Sequence, residues 1–170
     1  MHTRTLLISG FVALAALLSA SPKSESANDA PAAFARLKTL VGEWEANMPD
    51  GKAHLTYELT GGGTVLVERE SEDKMPSMMT VYHLDGDRLI LTHYCMTGNQ
   101  PRMQARAINL QTGEIQFQFL DATNLANPNA VHMHNVRLRL VDNNHLDADW
   151  QLYENAAPKE TESAHYTRVR

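Results

Sequence analysis

Eight histidines are spread along the chain, and two of them make its sharpest chemical feature, His132-x-His134. On an extended strand, residues two apart point to the same side. Two imidazoles placed this way can supply two ligands to a zinc ion, with a third coming from another strand. His93 is the candidate third ligand, because it shares a strand face with Leu89, Leu91 and Cys95. Val136, Leu138 and Leu140 continue the face of His132 and His134, while Arg137 and Arg139 take the other. Both histidines are therefore expected to point inward, near His93. The same three side chains can instead hydrogen-bond buried partners or line a wet cavity without any metal.

Other polar groups could orient a ligand. Asn99-Gln100-Pro101-Arg102 sets amides and a guanidinium at a junction between loop and strand. Such groups can fix a polar or anionic end of a small molecule, and they also suit a capped turn. Tyr82, His93, Gln100, Arg102, His132 and His134 together are the expected ligand-binding set. Glu68 has two readings. If Leu66 faces inward, so does Glu68, and its carboxylate needs a partner such as Arg102 or Arg106. If Val65 and Val67 face inward, Glu68 is solvated.

Covalent catalysis finds little support, and no catalytic residue is assigned. There is no Gly-x-Ser-x-Gly elbow, and Gly61, Gly62 and Gly63 lack the lysine and helix of a phosphate-binding loop. His93 and Cys95 are two apart on one strand, so their side chains run parallel and do not meet. Met75, Met78, Met79, Met96 and Met103 show no repeated copper motif and read as core or adaptable cavity lining.

The elements that must position these residues follow from hydrophobic period. Phe34, Leu37, Leu40 and Val41 lie at helical spacing within residues 32–41, and Gly42 ends the helix. The period then becomes two. Trp44, Ala46 and Met48 alternate with Glu43, Glu45 and Asn47, and later runs alternate likewise to residue 169. Pro49-Asp50-Gly51, Gly61-Gly62-Gly63, Asp85-Gly86-Asp87, Thr112-Gly113 and Asp142-Asn143-Asn144 supply the turns. The pattern predicts an all-β fold: an up-and-down antiparallel barrel of about eight to ten strands with one short N-terminal helix. Closure removes the exposed sheet edges. Residues 71–77, 96–101 and 121–131 make longer loops, where a ligand entrance is expected.

Composition sets the compartment and the partner class. The chain has 170 residues, 43 % of them hydrophobic, which suits one domain with a real core. Residues 1–21 read as an export signal, with Arg4 before the apolar run Leu6 to Leu18 and small residues after it. Residues 22–31 read as a flexible tether, and 32–170 as a single domain. The expected location is periplasmic or secreted, with no stable membrane span after signal removal. The net charge of −5 argues against nucleic acid, because phosphate binding needs clustered Lys and Arg. Cys95 is the only cysteine and cannot form an internal disulfide.

Gly42-Glu43-Trp44 after a short helix, with Tyr166-Thr167-Arg168 at the end, resembles the calycin layout of lipocalins and fatty-acid-binding proteins. The resemblance implies that Trp44 closes one end of the barrel and that Arg168 packs over its ring. A longer stretch, about residues 34–169, resembles an uncharacterised group of exported bacterial calycin-like proteins. It is carried by Tyr82-His83-Leu84-Asp85-Gly86-Asp87-Arg88-Leu89, Thr92-His93-Tyr94-Cys95, Asn99-Gln100-Pro101-Arg102 and Asp121-Ala122-Thr123-Asn124-Leu125. The haem-binding nitrobindins share the general barrel, but Glu45 and Ala46 follow Trp44 here in place of their glycine-rich signature. These resemblances imply a fold more than a function. The leading expectation is non-catalytic binding of a small, largely apolar molecule inside the barrel, with the cofactor unknown. The alternatives are a metal- or haem-binding barrel using interior histidines, or a scaffold with a filled core.

Overall fold

The computed structural model describes residues 29–49, 51–73 and 75–169. The stretch read as an export signal, residues 1–21, and most of the stretch read as a tether, 22–31, lie outside the described residues. An α-helix, α1 (Ala30–Leu37), leads through a short 3-10 turn into ten antiparallel strands. They are β1 (Gly42–Met48), β2 (Gly51–Thr60), β3 (Val65–Glu72), β4 (Met75–Asp85) and β5 (Arg88–Tyr94). β6 (Gln100–Asn109), β7 (Glu114–Thr123), β8 (His132–Leu140), β9 (His145–Glu154) and β10 (Ala157–Arg168) follow. Each strand pairs with its neighbour in sequence, and β10 returns to β1 through Trp44–Arg168 and Glu45–Thr167, closing the barrel.

Alternation builds the interior. Trp44, Leu55, Leu66, Leu89, Ile115, Phe117, Val136, Leu138 and Leu146 are buried together in one core. The opposite faces carry ion pairs, including Arg137 with Asp149 and Arg139 with Asp147. Helix α1 buries Ala30, Ala33, Phe34 and Leu37 and touches β4, β5 and β6 at one end of the barrel. That end is sealed as the resemblance implied. Trp44 is buried, its Nε1 donates to the Leu40 carbonyl at 2.8 Å, and the Arg168 guanidinium stands 4.2 Å from the ring centroid. Arg168 also donates to the carbonyls of Thr39, Val41 and Asn143. One cation thus stacks on the indole and ties the helix exit to the β8–β9 hairpin.

Some boundaries differ from the sequence-based expectation. The helix begins at Ala30, inside the stretch read as tether, because Pro31 fits a first turn whose N–H needs no partner. β10 begins at Ala157, because β9 and β10 turn at Asn155-Ala156, a turn absent from the expected set, with φ of 55° and 58°. Neither is glycine, so the usual hairpin signal is missing there.

Candidate functional site

β3 carries three glutamates at alternate positions, Glu68, Glu70 and Glu72, in phase with buried Leu66. Glu68 therefore faces inward. It is 2 % exposed, and its Oε2 accepts hydrogen bonds from the Tyr57 hydroxyl at 2.7 Å and the Tyr82 hydroxyl at 2.8 Å. The partners are tyrosines from the flanking strands, and neither Arg102 nor Arg106 takes part. Burial drives the Glu68 pKa up, opposed by those hydrogen bonds. Glu70 lies one step nearer the open end, where Tyr166 donates to it at 3.4 Å. Burial, then the neighbouring charges of Glu68, Glu162 and Glu72, pushes Glu70 to about 8, so it is mostly protonated at neutral pH.

His93 lies inside the barrel on β5. Its Nδ1 is 3.0 Å from Thr80 Oγ1, the residue directly opposite on β4, and its Nε2 is buried without a partner. Burial lowers its pKa to about 4, so the ring is neutral. It packs at 4.7 Å from the Trp150 ring. A small hollow beside it is lined by Glu70, Met78, Met133, Glu162, Ala164 and Tyr166. Its volume of about 10 Å³ is room for roughly one water.

His132 and His134 do not join His93. The β8–β9 ladder pairs Met133 with Leu152 and then Asn135 with Gln151, leaving His134 in a bulge. The bulge breaks the simple alternation from Val136 that had both histidines facing His93. Met133 takes the place beside His93, and the two histidines line a separate cleft. Among the described residues, no group of three or more His, Cys, Asp or Glu side chains is arranged to hold a metal ion. The expected three-histidine zinc geometry is therefore corrected: His93 and the histidine pair belong to two different places.

The cleft forms where the barrel wall parts. β7 and β8 pair only as far as Gln118–Asn135. Beyond that point β7 follows β6, and β8 follows β9. His134 lies between Phe119 and Tyr153, with ring centroids at 4.6 and 3.9 Å and nearly parallel planes. Its Nδ1 is 2.9 Å from His132 Nε2, and His132 Nδ1 is 2.8 Å from the Ala130 carbonyl. A carbonyl only accepts, so His132 Nδ1 carries a proton. In the neutral pair His132 Nε2 then accepts from His134 Nδ1–H, which leaves the His134 Nε2 lone pair free. Burial, with the neighbouring His132 second, lowers the His134 pKa. The cleft has a volume of about 540 Å³, and Leu120, Ala122, Leu125 and Pro128 add to its apolar lining.

The other sequence candidates are scattered. Tyr82 is buried on Glu68. Arg102 is exposed and forms a two-pronged pair with Asp121 at 2.6 and 2.5 Å. Gln100 bridges the Gly98 carbonyl and the Thr123 hydroxyl. Asn99 donates to the Val131 carbonyl and holds the loop beside the cleft. The sequence reading passed over Glu70, Glu162, Trp150 and Met133. The alternation of Glu68, Glu70 and Glu72 with Leu66 was the available signal for the first of these.

Comparison with known proteins supports the architecture. No family model matches the chain, and no curated protein matches it. Among solved structures it is similar to the crystal structure of Rv2717c from M. tuberculosis, with a TM-score of 0.53 and 16 % identity. The match covers 81 % of this chain and 98 % of that one. At this identity the likeness speaks for the fold alone. The chain is a closed ten-strand antiparallel barrel, consistent with a calycin-like barrel and compatible with ligand binding.

Proposed function

We propose that the protein is a non-catalytic binder of a small, largely apolar molecule, taken up at the open end of the barrel in the cleft between β7 and β8. The observation that carries this reading is the cleft itself: about 540 Å³, mostly apolar, with stacked aromatic rings and one free imidazole nitrogen. Ligand sites commonly have this size and this mix of apolar wall and few polar groups. The barrel core supplies little competing space, since the hollow at His93 holds about one water. His134 Nε2 favours a ligand bearing one hydroxyl or N–H donor. The reading also takes residues 1–21 as a cleaved export signal and the location as periplasmic or secreted, supported by the charged start and short apolar run. N-terminal sequencing of the protein recovered outside the cytoplasm tests that part.

Binding is tested with N-phenyl-1-naphthylamine, a neutral fluorescent probe with a single N–H. The full chain gives saturable binding of one probe per protein, and Phe119→Ala or Leu125→Asp weakens it at least about tenfold, or about 1.4 kcal/mol. Absence of saturable binding, or equal affinity in both variants, overturns the cleft as the site.

A further inference from the structure

We propose that His93, Met78 and Met133 form a binding site for one soft monovalent metal cation, Cu(I), inside the open end of the barrel. The first observation is an orphan. His93 Nε2 is buried and has no hydrogen-bond partner, although the rest of the ring is held firmly by Thr80 and Trp150. Leaving a buried polar atom unpaired is destabilising. When Thr80 accepts from Nδ1–H, the Nε2 lone pair faces the hollow, as a metal-binding imidazole requires.

The second observation is what shares the hollow. Met78 and Met133 both line it, so two thioether side chains and one imidazole border a space sized for about one water. That space suits an ion and excludes a larger organic ligand. Thioether ligands favour Cu(I), whereas hard divalent ions prefer carboxylate and water oxygens. The described residues offer no His/Cys/Asp/Glu group for such ions. Strand geometry makes the set. Thr80 pairs with His93, so Met78 lies two residues from that pair on the same face of β4. The bulge at His134 brings Met133 inward from β8 in place of a histidine.

The surroundings suit a single positive charge. Glu70 and Glu162 border the hollow, and Glu68 and Glu72 share the Glu70 face of β3. Glu70 is mostly protonated at neutral pH, so it adds polar oxygens and not a full charge, and polar oxygens lower the cost of burying a cation. Trp150 sits against His93 and offers an aromatic face near the ion. Burial keeps His93 neutral at physiological pH, as a ligand must be. The site is separate from the cleft of His132 and His134 and stands independently of the binding reading above.

The test uses the full chain without oxygen, titrated against a coloured Cu(I) chelator. One equivalent of Cu(I) is withdrawn from the chelator, and Trp150 emission is quenched. Met78→Leu and Met133→Leu keep apolar volume, and each weakens Cu(I) binding at least about tenfold. Trp150→Phe removes the quenching while the one-to-one stoichiometry remains. If the wild-type protein withdraws no Cu(I), the proposal fails, and this arm needs no variant to fold. It fails equally if both leucine variants bind as the wild type does, or if Zn²⁺ displaces Cu(I). Loss of the bound Cu(I) in a His132→Ala, His134→Ala variant that keeps its fold moves the site to the cleft and also overturns it.

Discussion

Protonation of Glu70 should shape how stability depends on pH. The carboxyl is held at about 8 in the folded barrel, against an ordinary value of 4.5. Below 4.5 both folded and unfolded chains carry the proton, and the barrel has its full stability. Above that, the unfolded chain releases the proton and the folded chain keeps it, so stability falls as pH rises and levels off above 8. Each pH unit in the window is worth about 1.4 kcal/mol. His93 acts in the opposite sense, because its value is lowered from 6.5 to about 4 and its unfolded form takes up a proton below 6.5. The two slopes largely cancel in acid, and between about pH 6.5 and 8 the His93 slope has faded while the Glu70 slope amounts to roughly 2 kcal/mol. Glu162 shifts in the same direction as Glu70 but is only half buried, so water screens its part. The groups facing Glu70 are Glu68, Glu72, Glu162, Tyr166 and His93. Glu70→Gln keeps the shape and stays neutral. The assay is urea unfolding at pH 6.5, 7.2 and 8 with a metal chelator present, comparing wild type with the variant. The wild type should lose about 2 kcal/mol more than the variant across that range. If the two curves run parallel, Glu70 is not held protonated and the reasoning is wrong.

Three further outcomes follow from the packing. Trp44→Ala should cost about 3–5 kcal/mol and Arg168→Met about 1–2 kcal/mol, read by urea denaturation, because the indole is buried and the guanidinium bonds three carbonyls. Gly113→Ala should destabilise by at least about 2 kcal/mol, since the new Cβ would stand 2.3 Å from the Leu140 carbonyl oxygen at a φ of +74°; an unchanged melting temperature would contradict the turn geometry. Tyr57→Phe with Tyr82→Phe removes both hydroxyls from Glu68 Oε2 and should lose about 2–5 kcal/mol, most of it restored when Glu68 is also changed to Leu.

Much of the fold was legible in local pattern. Apolar alternation marked the strands, glycine and Asx residues marked most turns, and a meander of short strands closes most simply on itself. The position of Trp44 on the first strand and Arg168 on the last made their meeting a consequence of closure. Parity also carried the option that Glu68 faces inward with Leu66. The Asn155-Ala156 hairpin was not legible, because its two positive φ angles are adopted without glycine. The site was less legible for a different reason. Parity holds only while a ladder is regular, and one extra residue at His134 reverses it for everything beyond. That bulge depends on the register in which β8 meets β9, which the period of β8 alone does not contain. It moves His132 and His134 to the cleft and sends Met133 to His93. The parting of β7 from β8, the pairing of two tyrosines with Glu68 and the bare nitrogen of His93 are likewise products of the register between neighbouring strands. The sequence by itself determined which residues could be buried and where the chain turns, because those follow from solvation and local backbone preference. Tertiary structure decided which buried groups meet, because that depends on registers set across the whole closed barrel.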